Sequence, residues 1–129
     1  MELIDEIEEL IMMHQEGPYW DFKREWYDDS KDGNLLIDII CMANNLVNRD
    51  AYIIIGVNEE CDYAIQDVSQ DANRRNTQML TDFIRGKKFA GDFRPVVTVE
   101  QVHLDGGLVD VIVAVSYTHL RAHETAANL

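Results

Sequence analysis

Along the first fifteen residues the apolar positions fall at Leu3, Ile4, Ile7, Leu10 and Ile11, with Glu2, Asp5, Glu6, Glu8 and Glu9 between them. That i, i+3, i+4 spacing predicts an amphipathic helix over 2–15. Its early acids suit the positive end of the helix dipole, and Gly17-Pro18 would stop it. From Tyr19 to Trp26 the period changes to two. This predicts a strand with Trp20, Phe22 and Trp26 facing a core and Asp21 and Lys23 facing the other way. Tyr27 to Gly33 is polar and reads as a loop. Asn34 to Val47 returns to helical spacing, with Leu35, Leu36, Ile39, Ile40, Ala43, Leu46 and Val47 on one face. Ile37 and Cys41 widen that face, so this helix is expected to be buried on most sides. Asn44 on it is assigned a structural role, bonding a neighbouring backbone.

Asn48-Arg49-Asp50 reads as a turn, and Ala51 to Val57 is continuously apolar and β-branched. A run of that kind suits a central strand covered on both faces. Asn58 to Asp62 is a turn, and Tyr63 to Val68 would pair back as a hairpin strand. Asp71 to Arg85 carries Ala72, Met79, Leu80, Phe83 and Ile84 at helical spacing, with Gly86 as its C-cap. Pro95 to His103 and Leu108 to Ala114 alternate around Asp105-Gly106-Gly107, the pattern of a hairpin. The resulting order, α-β-α-β-β-α-β-β, predicts an α+β fold: a two-layer mixed β-sheet packed with helices.

Composition narrows the class. The chain has 129 residues, 47% hydrophobic and 27% charged, with 24 acids against 11 Lys and Arg, a net charge of −13. That describes one globular domain able to bury a core. No apolar run approaches the roughly 20 residues of a membrane span, and the acidic start is unlike a secretory or transit signal. Cys41 and Cys61 lack metal-ligand spacing and read as reduced thiols of a cytoplasmic protein. His14 and His103 are isolated and read as surface or half-buried residues.

The end of the chain reads differently. Val115 to Thr125 back-translates without a mismatch to the transposase end and adapter used in sequencing libraries. His119 and His123, one helical turn apart and followed by Glu124, resemble a metal-binding pair. They are set aside with the segment that carries them. The expected organisation is therefore an authentic domain over 1–114, truncated, and a non-native tail over 115–129.

No Walker-type phosphate loop, no dinucleotide G-x-G-x-x-G and no G-x-S-x-G elbow is present, which argues against an ordinary nucleotide hydrolase or serine hydrolase. Chemistry is instead sought among the carboxylates. Glu16 follows the first helix, Asp21 lies on the first strand with Lys23 beside it, and Glu59 follows the apolar strand. If the two strands are neighbours, these acids converge at one end of the sheet. Close carboxylates raise one another's pKa unless a cation neutralises them. Mg²⁺ or Mn²⁺ takes such oxygen ligands and can activate water against a phosphodiester. Lys23 could hold a phosphate. Residues 74–94 carry Arg74, Arg75, Arg85, Lys87, Lys88 and Arg94 against Asp82 and Asp92, a local +4 on a chain that is −17 elsewhere. Such a patch is a place for a phosphate backbone to rest.

Three blocks carry a resemblance: Glu16 with Asp21-Phe22-Lys23, Asp38 to Asn44, and Tyr52 to Glu59. Together they resemble the Schlafen AlbA_2 domain family, labelled elsewhere a DNA-binding, divergent AAA or ATP-binding domain. The resemblance implies an α+β nucleic-acid-acting domain of larger bacterial proteins. In the Schlafen proteins it implies a metal-dependent RNase site, which maps here to Glu16, Asp21 and Glu59 with Lys23 adjacent. It also implies that a second lobe, or a homodimer, completes an RNA groove. A non-catalytic DNA-binding or regulatory module is the other reading.

Overall fold

A computed structural model describes residues 1–89 and 94–116. The helices are α1 (Leu3–Met12), α2 (Asp32–Ala43) and α3 (Thr77–Arg85), and the strands are β1 (Trp20–Lys23), β2 (Ala51–Ile55), β3 (Val57–Asn58), β4 (Ala64–Ile65), β5 (Val97–Leu104) and β6 (Gly107–Ala114). Four strands form one sheet in the order β1-β2-β6-β5, and β3 with β4 forms a small second one. β1 is parallel to β2, with Asp21 opposite Ile53, whereas β2–β6 and β5–β6 are antiparallel. The α+β class and the mixed sheet are as expected.

The period of β2 explains the layering. Tyr52 and Ile54 join Ile7 and Leu10 of α1, Trp20, Phe22, Val109 and Val111 in one cluster. Ile53 and Ile55 join Leu35 and Ile39 of α2, Leu80 and Ile84 of α3, and Ile112 in the other. The sheet thus has α1 on one face and α2 with α3 on the other, so a third layer is added to the two expected. Every side chain of β2 is buried, which is why that run carries no polar position.

Several boundaries move for local reasons. α1 ends at Met12, because His14 takes a left-handed conformation at φ 52°, ahead of Gly17-Pro18. α2 starts earlier and stops at Ala43. The buried polar residue after it is Asn45, whose amide donates to Met42 O at 2.9 Å and whose Oδ1 accepts from Val47 N at 3.1 Å. Asn44 is exposed, so the packing role expected of it belongs to its neighbour. Leu46 is 96% exposed and Ile37 59%, and Cys41 is exposed. α2 is therefore covered on one side only, not on most. α3 starts at Thr77, where Asn76 caps it by accepting from Met79 N at 2.8 Å. Asp71, expected inside that helix, instead makes a turn, accepting from Asn73 N at 2.8 Å and from Trp26 N at 2.9 Å.

Residues 117–129, which hold most of the expected tail and the His119–His123 pair, lie outside the described residues. Among the described residues no helix is long and apolar enough to cross a membrane.

Candidate functional site

Three separate segments carry Glu16, Asp21 and Glu59 to the β1 edge of the sheet. Glu16 sits in the loop between α1 and β1, and that loop is wrapped around the Trp20 indole. Trp20 Nε1 donates to Gln15 O at 2.8 Å, and Gly17 N donates to Trp20 O at 3.2 Å. A Cβ at position 17 would lie 2.1 Å from the Trp20 ring, so glycine is needed for the loop to close over it. Asp21 is placed by strand parity. Trp20 and Phe22 fill the α1-side core, which turns Asp21 and Lys23 to the α2 side.

Glu59 is placed by the end of β2. Gly56, at φ +116°, redirects the chain into β3, and a Cβ there would crowd Gln66 O, Val109 and Val68 at 3.1 Å. Only glycine takes that conformation readily. Asn58 then caps the short 3₁₀ turn Glu59–Cys61 by accepting from Glu60 N at 3.1 Å. This occupies the Asn58 carbonyl and leaves Glu59 as the first carboxylate past the strand.

One carboxylate oxygen from each of Glu16, Asp21 and Glu59 lies within 4.8 Å of the others. Divalent metal–oxygen distances are about 2.0–2.6 Å, so ligands on opposite sides of one ion stand roughly 4–5 Å apart. The donor set fits: all three are hard oxygens, the preference of Mg²⁺ and Mn²⁺. Among the described residues no other group of three His, Cys, Asp or Glu is so close.

Asp21 is the most perturbed member. Its side chain is 15% exposed. Burial, the hydrogen bond with Glu16 and the Glu16 charge push its pKa up to about 6, against the opposing pull of Lys23 and of Phe22 N–H. Lys23 Nζ stands 3.5 Å from Asp21 Oδ2 and 3.6 Å from Asp38 Oδ2. Burial opposes its charge, but Asp21 and Asp38 outweigh that and hold the ammonium above the usual lysine range. Tyr27 donates its hydroxyl to Asp38 Oδ2 at 2.6 Å, which fixes Asp38 against Lys23. Tyr63 stacks on His14 and meets Phe22 edge-on beside the acids.

The expected basic patch does not assemble here. Arg74 forms two 2.9 Å hydrogen bonds to buried Asp110. Arg75, 12% exposed, pairs with Asp32 at 2.7 Å and lies over the Phe83 ring. Its Nη1 is buried without a hydrogen-bond partner among the described residues. Arg74 thus ties the segment before α3 to β6, and Arg75 ties it to α2. Arg85, Lys87, Lys88 and Arg94 are found on and after α3, which packs on β5, the sheet edge opposite β1. Arg85 stands 3.7 Å from Asp82 and Lys87 lies over Phe83.

Sequence reasoning missed Asp38, Tyr27, Arg24 and Lys31. A cavity of about 330 Å³ opens beside Lys23, and Arg24, Lys31 and Asp38 line it. The one available signal was Asp38 itself, the single charged residue in the otherwise apolar run 35–43.

No curated protein matches the chain. The Schlafen, AlbA_2 family profile matches residues 16–127. That span begins at the first of the three clustered acids and continues past Ala114. By this match the chain belongs to the Schlafen AlbA_2 family.

Proposed function

We propose that this domain is a metal-dependent endoribonuclease acting on structured, tRNA-like RNA. The observation that carries the reading is the approach of Glu16, Asp21 and Glu59 to within 4.8 Å from three separate segments. Bringing three acids together is unfavourable in the bare protein, and burial, then the hydrogen bond and charge of Glu16, raise the Asp21 pKa in that direction. Functional sites are where such arrangements concentrate. Family membership supports a nucleic-acid substrate.

The three carboxylates would hold one Mg²⁺ or Mn²⁺. When bound, such an ion supplies Lewis acidity towards a phosphodiester and its attacking water. The protein's own contribution is positional. Asp21 is fixed by the β1 register and by its bond from Phe22 N at 2.9 Å. Lys23, held protonated by Asp21 and Asp38, would donate to a phosphoryl oxygen as its negative charge grows, the form of stabilisation that contributes most in such reactions. Tyr27 and Asp38 act through Lys23 and limit its swing.

Purified protein should cleave structured RNA with Mn²⁺ or Mg²⁺ and stop when the ion is chelated. Asp21→Asn should abolish cleavage while the domain stays folded. Activity surviving both Asp21→Asn and Glu16→Gln would reject this site.

A second reading is a non-catalytic DNA-binding or regulatory module. It is favoured by the placement of Arg85, Lys88 and Arg94, exposed and remote from the acids. Such a module would bind duplex DNA with affinity falling steeply in salt and would cut nothing.

A further inference from the structure

Three aromatic rings stand in a row beside the acids, one from each of the segments that carry Glu16, Asp21 and Glu59. His14 lies two residues before Glu16, Phe22 is next to Asp21, and Tyr63 lies four residues after Glu59. Tyr63 is the middle ring. It stacks on His14 with centroids 4.7 Å apart and meets Phe22 edge-on at 5.4 Å. Among the described residues no hydrogen bond joins the Glu16 loop to the Glu59 loop. The ion pair across them, His14 with Asp62 at 3.5 Å, leaves the Asp62 side chain 93% exposed, and a pair so exposed contributes little. The ring stack is the firmer link.

The backbone of both loops is bent to make that link. Among the described residues His14, Asn48, Asp62 and Tyr63 are the non-glycine residues with positive φ, and three of these four flank the acids. His and Asp tolerate the left-handed region comparatively well, but a bulky side chain rarely enters it. Tyr63, at φ 59°, does so directly after Asp62 at φ 55°. A glycine would hold the same turn without strain, so the turn alone does not call for a tyrosine. What the tyrosine adds is its ring between His14 and Phe22. Backbone strain of this kind gathers at functional sites. Burial, then the charges of Glu59 and Glu16, raise the Tyr63 pKa, so its hydroxyl lies within the field of both carboxylates.

We propose that Tyr63 is the positioning residue of the acid cluster and, through it, decides which divalent cation the cluster prefers. The inference rests on the metal reading of Glu16, Asp21 and Glu59. With its ring between His14 and Phe22, Tyr63 holds the Glu16 and Glu59 loops at the separation that keeps the three carboxylates within 4.8 Å. Asp21 needs no such aid, because the β1 register fixes it. Mg²⁺ demands near-ideal octahedral geometry at about 2.0–2.1 Å, whereas Ca²⁺ accepts looser arrangements at about 2.3–2.6 Å. Ligands on firmly spaced segments therefore favour the smaller ion, and loosening them costs Mg²⁺ more than Ca²⁺.

The test is an amide NMR titration of the whole chain with Mg²⁺ and, separately, with Ca²⁺, in the parent, Tyr63→Gly and Tyr63→Phe. Tyr63→Gly removes the ring and relieves the backbone, and Tyr63→Phe keeps the ring. In Tyr63→Gly the Mg²⁺ affinity should fall about 10- to 100-fold, the usual cost of losing what orients a ligand, and the Ca²⁺ affinity by clearly less. Tyr63→Phe should keep the parent's Mg²⁺-to-Ca²⁺ ratio. His14→Ala breaks the stack from its other side and should shift the ratio as Tyr63→Gly does, which serves if the glycine variant does not fold. A loss of stability alone would weaken both ions alike, so an unchanged ratio in the folded variants would overturn the proposal. Metal-free crystal structures of parent and Tyr63→Gly give the second readout: the three carboxylates should lie within 4.8 Å in the parent, and Glu16 or Glu59 should stand farther off in the variant. Separation of the acids in Tyr63→Gly, in a protein whose parent binds neither ion, would reject the metal reading and leave the positioning role. Ion binding with ratio and spacing both unchanged in the variant would do the reverse.

Discussion

The indole N–H of Trp26 donates to Asp110 Oδ2 at 2.8 Å, joining residues 84 apart in the chain. Asp110 is 1% exposed, and Arg74 closes on the same carboxylate with two bonds. The segment after β1 that lines the cleft is thereby tied to the middle of β6. Removing one partner of a buried pair leaves the other charge uncompensated. Asp110→Ala should lower unfolding free energy by about 3–5 kcal/mol, measured in urea. Arg74→Met with Asp110→Asn, which keeps an acceptor for Trp26 Nε1, should cost less than Asp110→Ala alone. Equal losses would mean that the ion pair, as opposed to the space it fills, has no special place in the fold.

Asp21 gives a pH signature. Its folded pKa of about 6 is above the ordinary 3.8. The folded state therefore binds more protons than the unfolded one between those values. Stability falls as pH rises through this window and is fullest below it. The gap of about two units corresponds to about 3 kcal/mol at 1.36 per unit. Asp21→Asn removes that penalty but also the pair with Lys23. In EDTA the variant should be more stable than the parent by roughly 1–2 kcal/mol at pH 7.5, and the advantage should disappear near pH 4. Urea denaturation at the two pH values reads this directly. A variant less stable than the parent at pH 7.5 would contradict it.

Gly17 tests how the Glu16 loop is held. With a Cβ 2.1 Å from the Trp20 ring, Gly17→Ala must move either the loop or the indole. Glu16 follows the loop, while the β1 register and the core on the α2 face stay in place. Mn²⁺ affinity should fall about 10- to 100-fold, the usual cost of disturbing what orients a ligand, with little change in far-ultraviolet circular dichroism. Calorimetric titration checks it.

How much of this was readable beforehand follows the range of the interactions. Trp20, Asp21, Phe22 and Lys23 alternate within a few residues, so strand parity alone placed Asp21 and Lys23 on one face. The apolar run at β2 announced burial on both sides. Glu59 was legible because Gly56 and Asn58 mark a chain turn by local chemistry. The failures share a different cause. Arg74 and Arg75 read as a free basic patch because their partners, Asp110 and Asp32, lie 36 and 43 residues away. Asp71 read as helical because its bond to Trp26 N spans 45 residues. Asn44 and Asn45 are one step apart on the same helix end, and the choice between them depends on where Arg49 returns. Periodicity carries none of that.

Tyr27 offers a test of positioning as distinct from packing. Its hydroxyl donates to Asp38 at 2.6 Å, and burial with Asp38 nearby raises its pKa strongly. Tyr27→Phe should cost about 1 kcal/mol or somewhat more in stability. In an RNA-cleaving protein it should also lower kcat more than it raises KM, because Asp38 is freed to draw Lys23 from Asp21. An unchanged kcat would assign Tyr27 to packing only.

The central claim is that Glu16, Asp21 and Glu59 share one divalent cation, and Mn²⁺ titration by calorimetry at pH 7.5 tests it most directly. The expected result is one ion per chain, affinity that falls as pH drops through about 6, and loss of binding in Asp21→Asn and in Glu59→Gln with the fold retained. Mn²⁺ binding of equal strength in both variants, or none in the parent protein, would contradict it.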